Sequence, residues 1–238
     1  MDPRERILVA LDMTDVDSAK ALAMTLSGHV GGIKLGKEVF TANGPAGVKG
    51  VTGGGQPLFL DLKFHDIPNT VAGAVRSAMA LGPMILNVHA SGGVAMMKAA
   101  AAAVAEAPNT SEGPRPLLIA VTVLTSLGDE DMPQIGVQGS AAEQVIRLAK
   151  LAEGAGLDGV VCSAHEITAI RAACGPDFKL VVPGIRPTWA AKGDQKRVMT
   201  PAEAVKLGAD YLVIGRPIAA AADPVGAAKR IGEELQGL

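Results

Sequence analysis

Residues 57–70 read PLFLDLKFHDIPNT, an apolar run followed by a cluster of charges. The first four of these residues are apolar, which is typical of a buried strand. Side chains two positions apart in a strand point to the same face, so Asp61 and Lys63 are predicted to project together. Asp66 follows, and the proline two residues after it indicates that the extended segment ends there. We therefore expect a strand that brings a carboxylate and an ammonium group to one place.

Two other apolar runs carry charges in a similar way. Residues 32–36 read GIKLG, with Lys34 inside the run, and residues 7–12 read ILVALD, with Asp12 at the end. Charges at the ends of buried strands are costly unless they are paired. A structural salt-bridge network would explain one such pair. Charges brought together by several strands favour a functional site.

Apolar runs alternate with helix-like segments along the 238 residues. Eight runs are predicted to be strands: 7–11, 32–35, 58–62, 84–89, 117–123, 159–162, 179–182 and 211–214. Seven segments have helical patterns: 15–26, 70–81, 94–107, 141–155, 166–173, 201–207 and 224–235. This alternation predicts a parallel sheet covered by helices. Eight units in this length predict an α/β fold, a single (β/α)8 TIM barrel over residues 1–238, rather than an open sheet.

Composition argues against several classes of protein. The formal net charge is -2 and no basic stripe occurs, which disfavours a nucleic-acid partner. The sequence contains no run of about 18 apolar residues that would predict a membrane span, and its first residues do not resemble a signal peptide. The two cysteines, Cys162 and Cys174, lack the spacing of a zinc or redox site. These features predict a reducing, cytoplasmic setting.

Polar residues follow the last two predicted strands, where the active site of such a barrel lies. Arg186 occurs in VVPGIRP after the seventh strand, and Gly215 and Arg216 occur in IGRP after the eighth. Loops at these two positions commonly bind phosphate in this fold. Glycines let backbone amides approach an anion closely, and arginines supply bidentate donors. The pattern predicts a phosphate site.

The segment 186–200, RPTWAAKGDQKRVMT, is long for a loop between a strand and a helix. It lies beside the predicted phosphate site. We predict a lid that closes on a phosphorylated substrate. An ordinary surface loop is the alternative, since its lysines and arginine would suit solvent equally well.

Eight motifs resemble the orotidine 5′-phosphate decarboxylase family, over about residues 7–231. They are LDLKFHDIPNT, GIKLGKE, NVHASGG, AVTVLTS, DGVVCSA, VVPGIRP, GDQKRVMTP and YLVIGRP. The resemblance implies cofactor-free decarboxylation of orotidine 5′-phosphate to UMP, the last step of de novo UMP synthesis. It also implies a homodimer with shared active sites and no metal.

Residue roles follow from the resemblance at matching positions. Lys63 would donate the proton to C6 of the pyrimidine, and Lys34, Asp61 and Asp66 would complete an alternating charge network. Asp66 and Thr70 would come from the partner subunit. The other residues implied in substrate binding are Asp12, Ile67, Thr125, Ser126, Pro183, Arg186, Gln195, Gly215 and Arg216, with Lys34 and Asp61 also in this set.

Two other functions stay open on the residues alone. One is a related decarboxylase or aldolase, such as a magnesium-dependent keto-sugar phosphate enzyme that shares only the Asp-x-Lys-x-x-Asp core. The other is a catalytically silent barrel that binds a nucleotide or a protein partner. The HDIPNT continuation at residues 65–70 argues against the first, and the complete set of lysines and aspartates argues against the second.

Overall fold

The computed structural model describes residues 2–107, 114–190 and 199–238. Eight parallel strands form a closed barrel in which each strand pairs with the next and the last pairs with the first. All eight predicted strands form, and the TIM barrel is confirmed. The strands are β1 Ile7–Ala10, β2 Gly32–Gly36, β3 Leu58–Phe64, β4 Ile85–His89, β5 Leu117–Val121, β6 Gly159–Val161, β7 Lys179–Pro183 and β8 Tyr211–Ile214.

Nine α-helices lie within the described residues, and the seven predicted ones match to within two residues at either end. Short 3-10 turns occur at Pro3–Arg6, Ala90–Gly92, Pro133–Ile135 and Ala164–Glu166. The helices are α1 Val16–Thr25, α2 Lys37–Thr52, α3 Pro68–Met79, α4 Gly93–Glu106, α5 Ala141–Gly154, α6 Ile167–Cys174, α7 Pro201–Leu207, α8 Arg216–Ala219 and α9 Pro224–Glu234.

Helices α2 and α8 were not predicted. Gly44 and Pro45 lie inside α2, and Gly44 has φ 61° and ψ −165°, so two helical pieces meet at a kink. Glycine and proline are the strongest helix breakers, and together they hide the helical pattern of this segment. Helix α8 has only four residues, too few to show a periodicity.

The core has an inner and an outer layer. Inside the barrel, inward-facing side chains form one apolar cluster: Leu8, Ala10, Phe59, Ile85, Ile119, Val181 and Val213. The alternate positions, such as Ile7 and Val9, pack outward against the helices in a larger cluster. Because strand side chains alternate, the next inward positions towards the carboxyl ends belong to Lys34, Asp61 and Asn87. An apolar floor therefore underlies a polar mouth.

Two aspartates join neighbouring strands at the amino-terminal end of the barrel. Asp158 precedes β6, and its Oδ2 accepts a hydrogen bond from Leu118 N of β5 at 2.7 Å. Asp210 precedes β8, and its Oδ2 accepts one from Leu180 N of β7 at 2.8 Å. Each carboxylate also pairs with an arginine, Arg115 and Arg171 respectively. These contacts brace the end of the barrel opposite the polar mouth.

Candidate active site

The end of β3 contains a bulge. Leu60 pairs with Leu86 and Phe64 pairs with Val88, so residues 61–63 lie opposite Asn87 alone. Lys63 has φ 54°, and it is the sole non-glycine with positive φ in the described part of the chain. Bulges beside active sites re-aim side chains, and a left-handed lysine backbone is costly. The site therefore contains a locally strained backbone at the residue predicted to be catalytic.

Asp61 connects two ammonium groups. Its Oδ1 lies 2.6 Å from Lys63 Nζ, and its Oδ2 lies 3.4 Å from Lys34 Nζ. Lys34 Nζ also lies 3.2 Å from Asp12 Oδ1. Burial opposes ionisation of Asp61, but the charges of Lys34 and Lys63 outweigh it and lower the pKa of this carboxyl below its ordinary value. The result is a chain of alternating charges from β2, β3 and the residues just after β1.

A glycine makes room for this chain of charges. A Cβ at Gly36 would lie 3.1 Å from Lys34 Nζ and 3.7 Å from Asp12 Oδ1. A side chain there would crowd the ammonium group, which would have to shift by a few tenths of an ångström. The glycine at the end of β2 thus leaves room for Lys34 in this arrangement.

Two histidines lie beside the charged groups. The ring centroids of His65 and His89 are 5.5 Å apart. Burial lowers the pKa of His89 to about 4, and the nearby His65, Lys37 and Lys63 contribute to the same shift. His89 is therefore neutral at pH 7 and adds no charge to the site.

Two adjoining cavities open at the mouth of the barrel. The first, about 350 Å³, has Asp12 and Lys34 on one side and Arg186 and Arg216 on the other. The second, about 190 Å³, is mainly apolar and contains Asp61, Lys63 and Thr125. Lys34, Pro183 and Val213 line both. A ligand with one anionic and one planar apolar end could occupy the two together.

The anionic end would face the loops after β7 and β8. Gly184 has φ 80°, a conformation that favours glycine, and it lines the first cavity with Gly215. Arg186 is buried and Arg216 is exposed. A Cβ at Gly215 would lie 3.6 Å from Ala10 Cβ, and both residues line the first cavity. These residues lie where the sequence predicts a phosphate site.

The remaining predicted site residues form three groups, two of which lie within the described residues. Ser126 is exposed in the loop after β5, next to Thr125. Asp66, Ile67 and Thr70 are exposed beyond the end of β3. Asp66 Oδ1 accepts a hydrogen bond from Ile67 N at 2.6 Å, and none of the ion pairs among residues 2–107, 114–190 and 199–238 involves it. Gln195 and most of the predicted lid segment lie outside the described residues.

Asn87 is a polar residue that the sequence places late in the fourth strand, at the active-site end, but to which it assigns no role. It is fully buried, its Oδ1 accepts a hydrogen bond from Lys63 N at 2.7 Å, and its Nδ2 donates one to Asp61 Oδ1 at 2.6 Å. The available signal was an asparagine in the apolar run ILNVH, on the inward face. A buried amide in a strand needs partners, and here they are the two charged residues of β3.

No three His, Cys, Asp or Glu side chains within the described ranges are grouped so as to hold a metal ion. In the same ranges, no helix combines the length and apolar character that crossing a membrane requires.

A family model described as orotidine 5′-phosphate decarboxylase / HUMPS family matches residues 5–231. The chain belongs to this family. A protein of Paramagnetospirillum magneticum named orotidine 5′-phosphate decarboxylase is 57% identical, with 96% of this chain and 97% of that protein covered. One of Moorella thermoacetica with the same name is 55% identical, with 99% and 94% covered.

The fold comparison agrees with the family. The crystal structure of orotidine 5′-phosphate decarboxylase from Lactobacillus acidophilus superposes with a TM-score of 0.85 at 37% identity, covering 97% of this chain and 99% of that one. The resemblance inferred from the motifs is confirmed. In this family member, the alternating charges at the ends of β1 to β3 and the arginines after β7 and β8 line two adjoining cavities that share Lys34, Pro183 and Val213.

Proposed function

We propose that this protein decarboxylates orotidine 5′-phosphate to UMP, the last step of de novo UMP synthesis. The observation that carries the proposal is the position of the Lys63 ammonium group. It lies 2.6 Å from Asp61, over the apolar floor and next to a cavity flanked by two arginines. The relatives at 57% and 55% identity bear the name of this activity over nearly their full lengths.

The two cavities support one orientation of the substrate. The phosphate would lie against Arg186, Arg216, Gly184 and Gly215, with Gln195 added from the segment that lies outside the described residues. Asp12 and Lys34 would meet the ribose hydroxyl groups, since Lys34 lines both cavities and its Nζ lies 3.2 Å from Asp12 Oδ1. The pyrimidine would enter the apolar cavity beside Pro183 and Thr125, with Ser126 at its edge.

Loss of CO2 from C6 breaks the C6–carboxylate bond and leaves its electron pair on C6, in the plane of the ring. The ring π system delocalises such a pair poorly, so the protein has to stabilise it electrostatically. A fixed ammonium group in a partly dry site does so strongly. Lys63 then transfers a proton to C6, which gives UMP and a neutral amine that solvent reprotonates.

Asp61 has two roles in this proposal. It holds Lys63 and Lys34 in place through the two ion pairs. Its carboxylate would also lie close to the substrate carboxylate and repel it in the ground state, a form of destabilisation that the departure of CO2 relieves. The phosphate, remote from C6, supplies binding energy that can be used to hold the reacting groups in this arrangement.

We also propose that the chain acts as a single domain within a homodimer with shared active sites. Asp66, Ile67 and Thr70 are exposed, and Ile67 is 66% exposed, which is unusual for a large apolar side chain beside an active site. In the dimer these three residues would reach the partner's site and Asp66 would complete its charge network. We place this dimer in the cytoplasm, where thiols such as Cys162 and Cys174 stay reduced.

The test is the loss of orotidine 5′-phosphate absorbance with purified protein in EDTA. We expect turnover that the chelator does not change, because both oxygens of Asp61 are already paired with lysines. No turnover of orotidine 5′-phosphate, together with Mg²⁺-dependent turnover of a keto-sugar phosphate, would favour a keto-sugar phosphate enzyme. UMP binding without any turnover would favour a silent nucleotide-binding barrel.

A further inference from the structure

The amide of Asn87 spans the bulge between β3 and β4. The bulge leaves residues 61–63 opposite this single residue, so the regular ladder cannot supply a partner for each backbone group. The Asn87 Oδ1 accepts the hydrogen bond of Lys63 N at 2.7 Å in place of a β4 carbonyl. Its Nδ2 donates to Asp61 Oδ1 at 2.6 Å, the same oxygen that accepts from Lys63 Nζ.

We infer that Asn87 is a positioning residue for the proposed decarboxylation, acting through Lys63 and Asp61. The inference rests on the proposed function. The Asn87 amide binds the backbone N–H of Lys63, the proton donor. It also binds the carboxylate of Asp61, which in turn orients the ammonium group of Lys63. The Asn87 side chain thus holds the backbone of Lys63 directly and its ammonium group through Asp61.

The backbone of Lys63 needs such support. A non-glycine residue adopts positive φ only where its surroundings enforce it. Asn87 is fully buried, so its side chain cannot turn to water. Without the amide oxygen, Lys63 N–H would lose its partner and the residue could relax to an ordinary strand conformation, which would redirect the ammonium group.

Asn87 also supports the ionised form of Asp61. The hydrogen bond from its amide is among the contacts that lower the pKa of Asp61. The charged and titratable groups around this carboxyl lie in or just after strands β1 to β4: Asp12, Lys34, Lys63 and His89, with Lys37 and His65 next to His89. Asn87 is the neutral donor in this group, and it stabilises the carboxylate without adding charge.

An amide is suited to this place because it offers an acceptor and a donor at fixed spacing. An ionised aspartate would keep the acceptor for Lys63 N–H but place a second negative charge against Asp61. An alanine would remove both contacts. These two substitutions therefore separate the inferred roles.

The first experiment uses Asn87→Ala in the orotidine 5′-phosphate assay. We expect kcat to fall about 10- to 100-fold, the range expected for losing a hydrogen bond to a charged group, with KM changed less than about threefold. The acid limb of the kcat profile should move to higher pH, because Asp61 loses a donor that favours its ionised form. The control is Val88→Ala, a buried residue of β4 that packs in the outer cluster. It should lower stability without moving the pH profile.

The second experiment uses Asn87→Asp, which matches asparagine in shape. The two facing carboxyls should share one proton with an apparent pKa above the ordinary aspartate range. Below that pKa the protonated pair carries the same charge as the native site, so activity should approach that of the native protein. Above it, activity should fall as the second carboxylate forms.

Two results would overturn the inference. One is a folded Asn87→Ala protein whose kcat is within threefold of the native value and whose acid limb is unmoved. The other, decisive also if Asn87→Ala does not fold, is an Asn87→Asp profile parallel to that of the native protein. A native protein that fails to turn over orotidine 5′-phosphate would refute the proposed function instead, so the two failures are distinct.

Discussion

Lys63 Nζ donates a hydrogen bond of 2.6 Å to Asp61 Oδ1 two residues earlier in the same strand, across a bulge in which Lys63 has φ 54°. In a regular strand the two side chains would stand parallel, about 7 Å apart at their Cα atoms. The bulge brings the ammonium group back onto the carboxylate. The geometry of the proposed proton donor therefore depends on an irregularity of the sheet.

Lys63→Ala should lower kcat by at least about a thousandfold, because it removes the cation that stabilises the carbanion together with the proton. UMP should still bind, which calorimetry can measure. Lys229→Ala, an exposed lysine of α9, is the matched control and should keep full activity. Activity within about tenfold of the native protein, or roughly 1.4 kcal/mol of barrier, would mean that Lys63 is not the donor.

Arg216→Ala should raise KM for orotidine 5′-phosphate much more than for unphosphorylated orotidine. Arg216 lines the first cavity, and its charge-assisted contact exists only with the phosphate. Steady-state kinetics on both substrates give the comparison, with the exposed Arg147→Ala of α5 as a control. Equal losses on the two substrates would remove Arg216 from the phosphate site. Gln195→Ala should act in the same direction but more weakly, as a neutral donor.

Asp66→Ala and Lys63→Ala proteins should each be nearly inactive, yet a refolded mixture of the two should regain up to about a quarter of native activity. Half of the dimers would be mixed, and in each mixed dimer one site would hold both lesions and the other none, given two-fold symmetry. Activity after joint unfolding and refolding is the measurement. A verified heterodimer without activity would show that Asp66 serves its own subunit.

Asp210→Ala should lower the free energy of unfolding by about 1–3 kcal/mol while kcat and KM stay unchanged. Its Oδ2 accepts from Leu180 N at 2.8 Å and pairs with Arg171, both at the end of the barrel away from the cavities. Urea denaturation measures the loss. The exposed Asp177→Ala on the same side should change stability by less than about 0.5 kcal/mol. A change in KM would contradict the separation of the two ends.

The sequence predicted the strands and most of the helices because apolar periodicity decides which residues are buried. It did not predict α2, since Gly44 and Pro45 interrupt that periodicity and only packing holds the two pieces together. The alternation of strand side chains predicted that Asp61 and Lys63 share a face, but the observed contact between them is made across the bulge. The bulge has no signature in the residues themselves, so neither the backbone of Lys63 nor the role of Asn87 followed from alternation.

The two aspartates at the amino-terminal end make the same contacts in two successive strand pairs of the barrel, β5–β6 and β7–β8. Asp158 and Asp210 each precede an even-numbered strand, each accept from the backbone of the strand before it, and each return a backbone hydrogen bond, to Leu118 O and Leu180 O respectively. The β5–β6 and β7–β8 pairs are thus joined at this end by the same set of aspartate contacts. If such a strand pair were exchanged between barrels, the contacts of its aspartate would be transferred with it. The exchange points would fall outside the two pairs, before β5 and between β6 and β7.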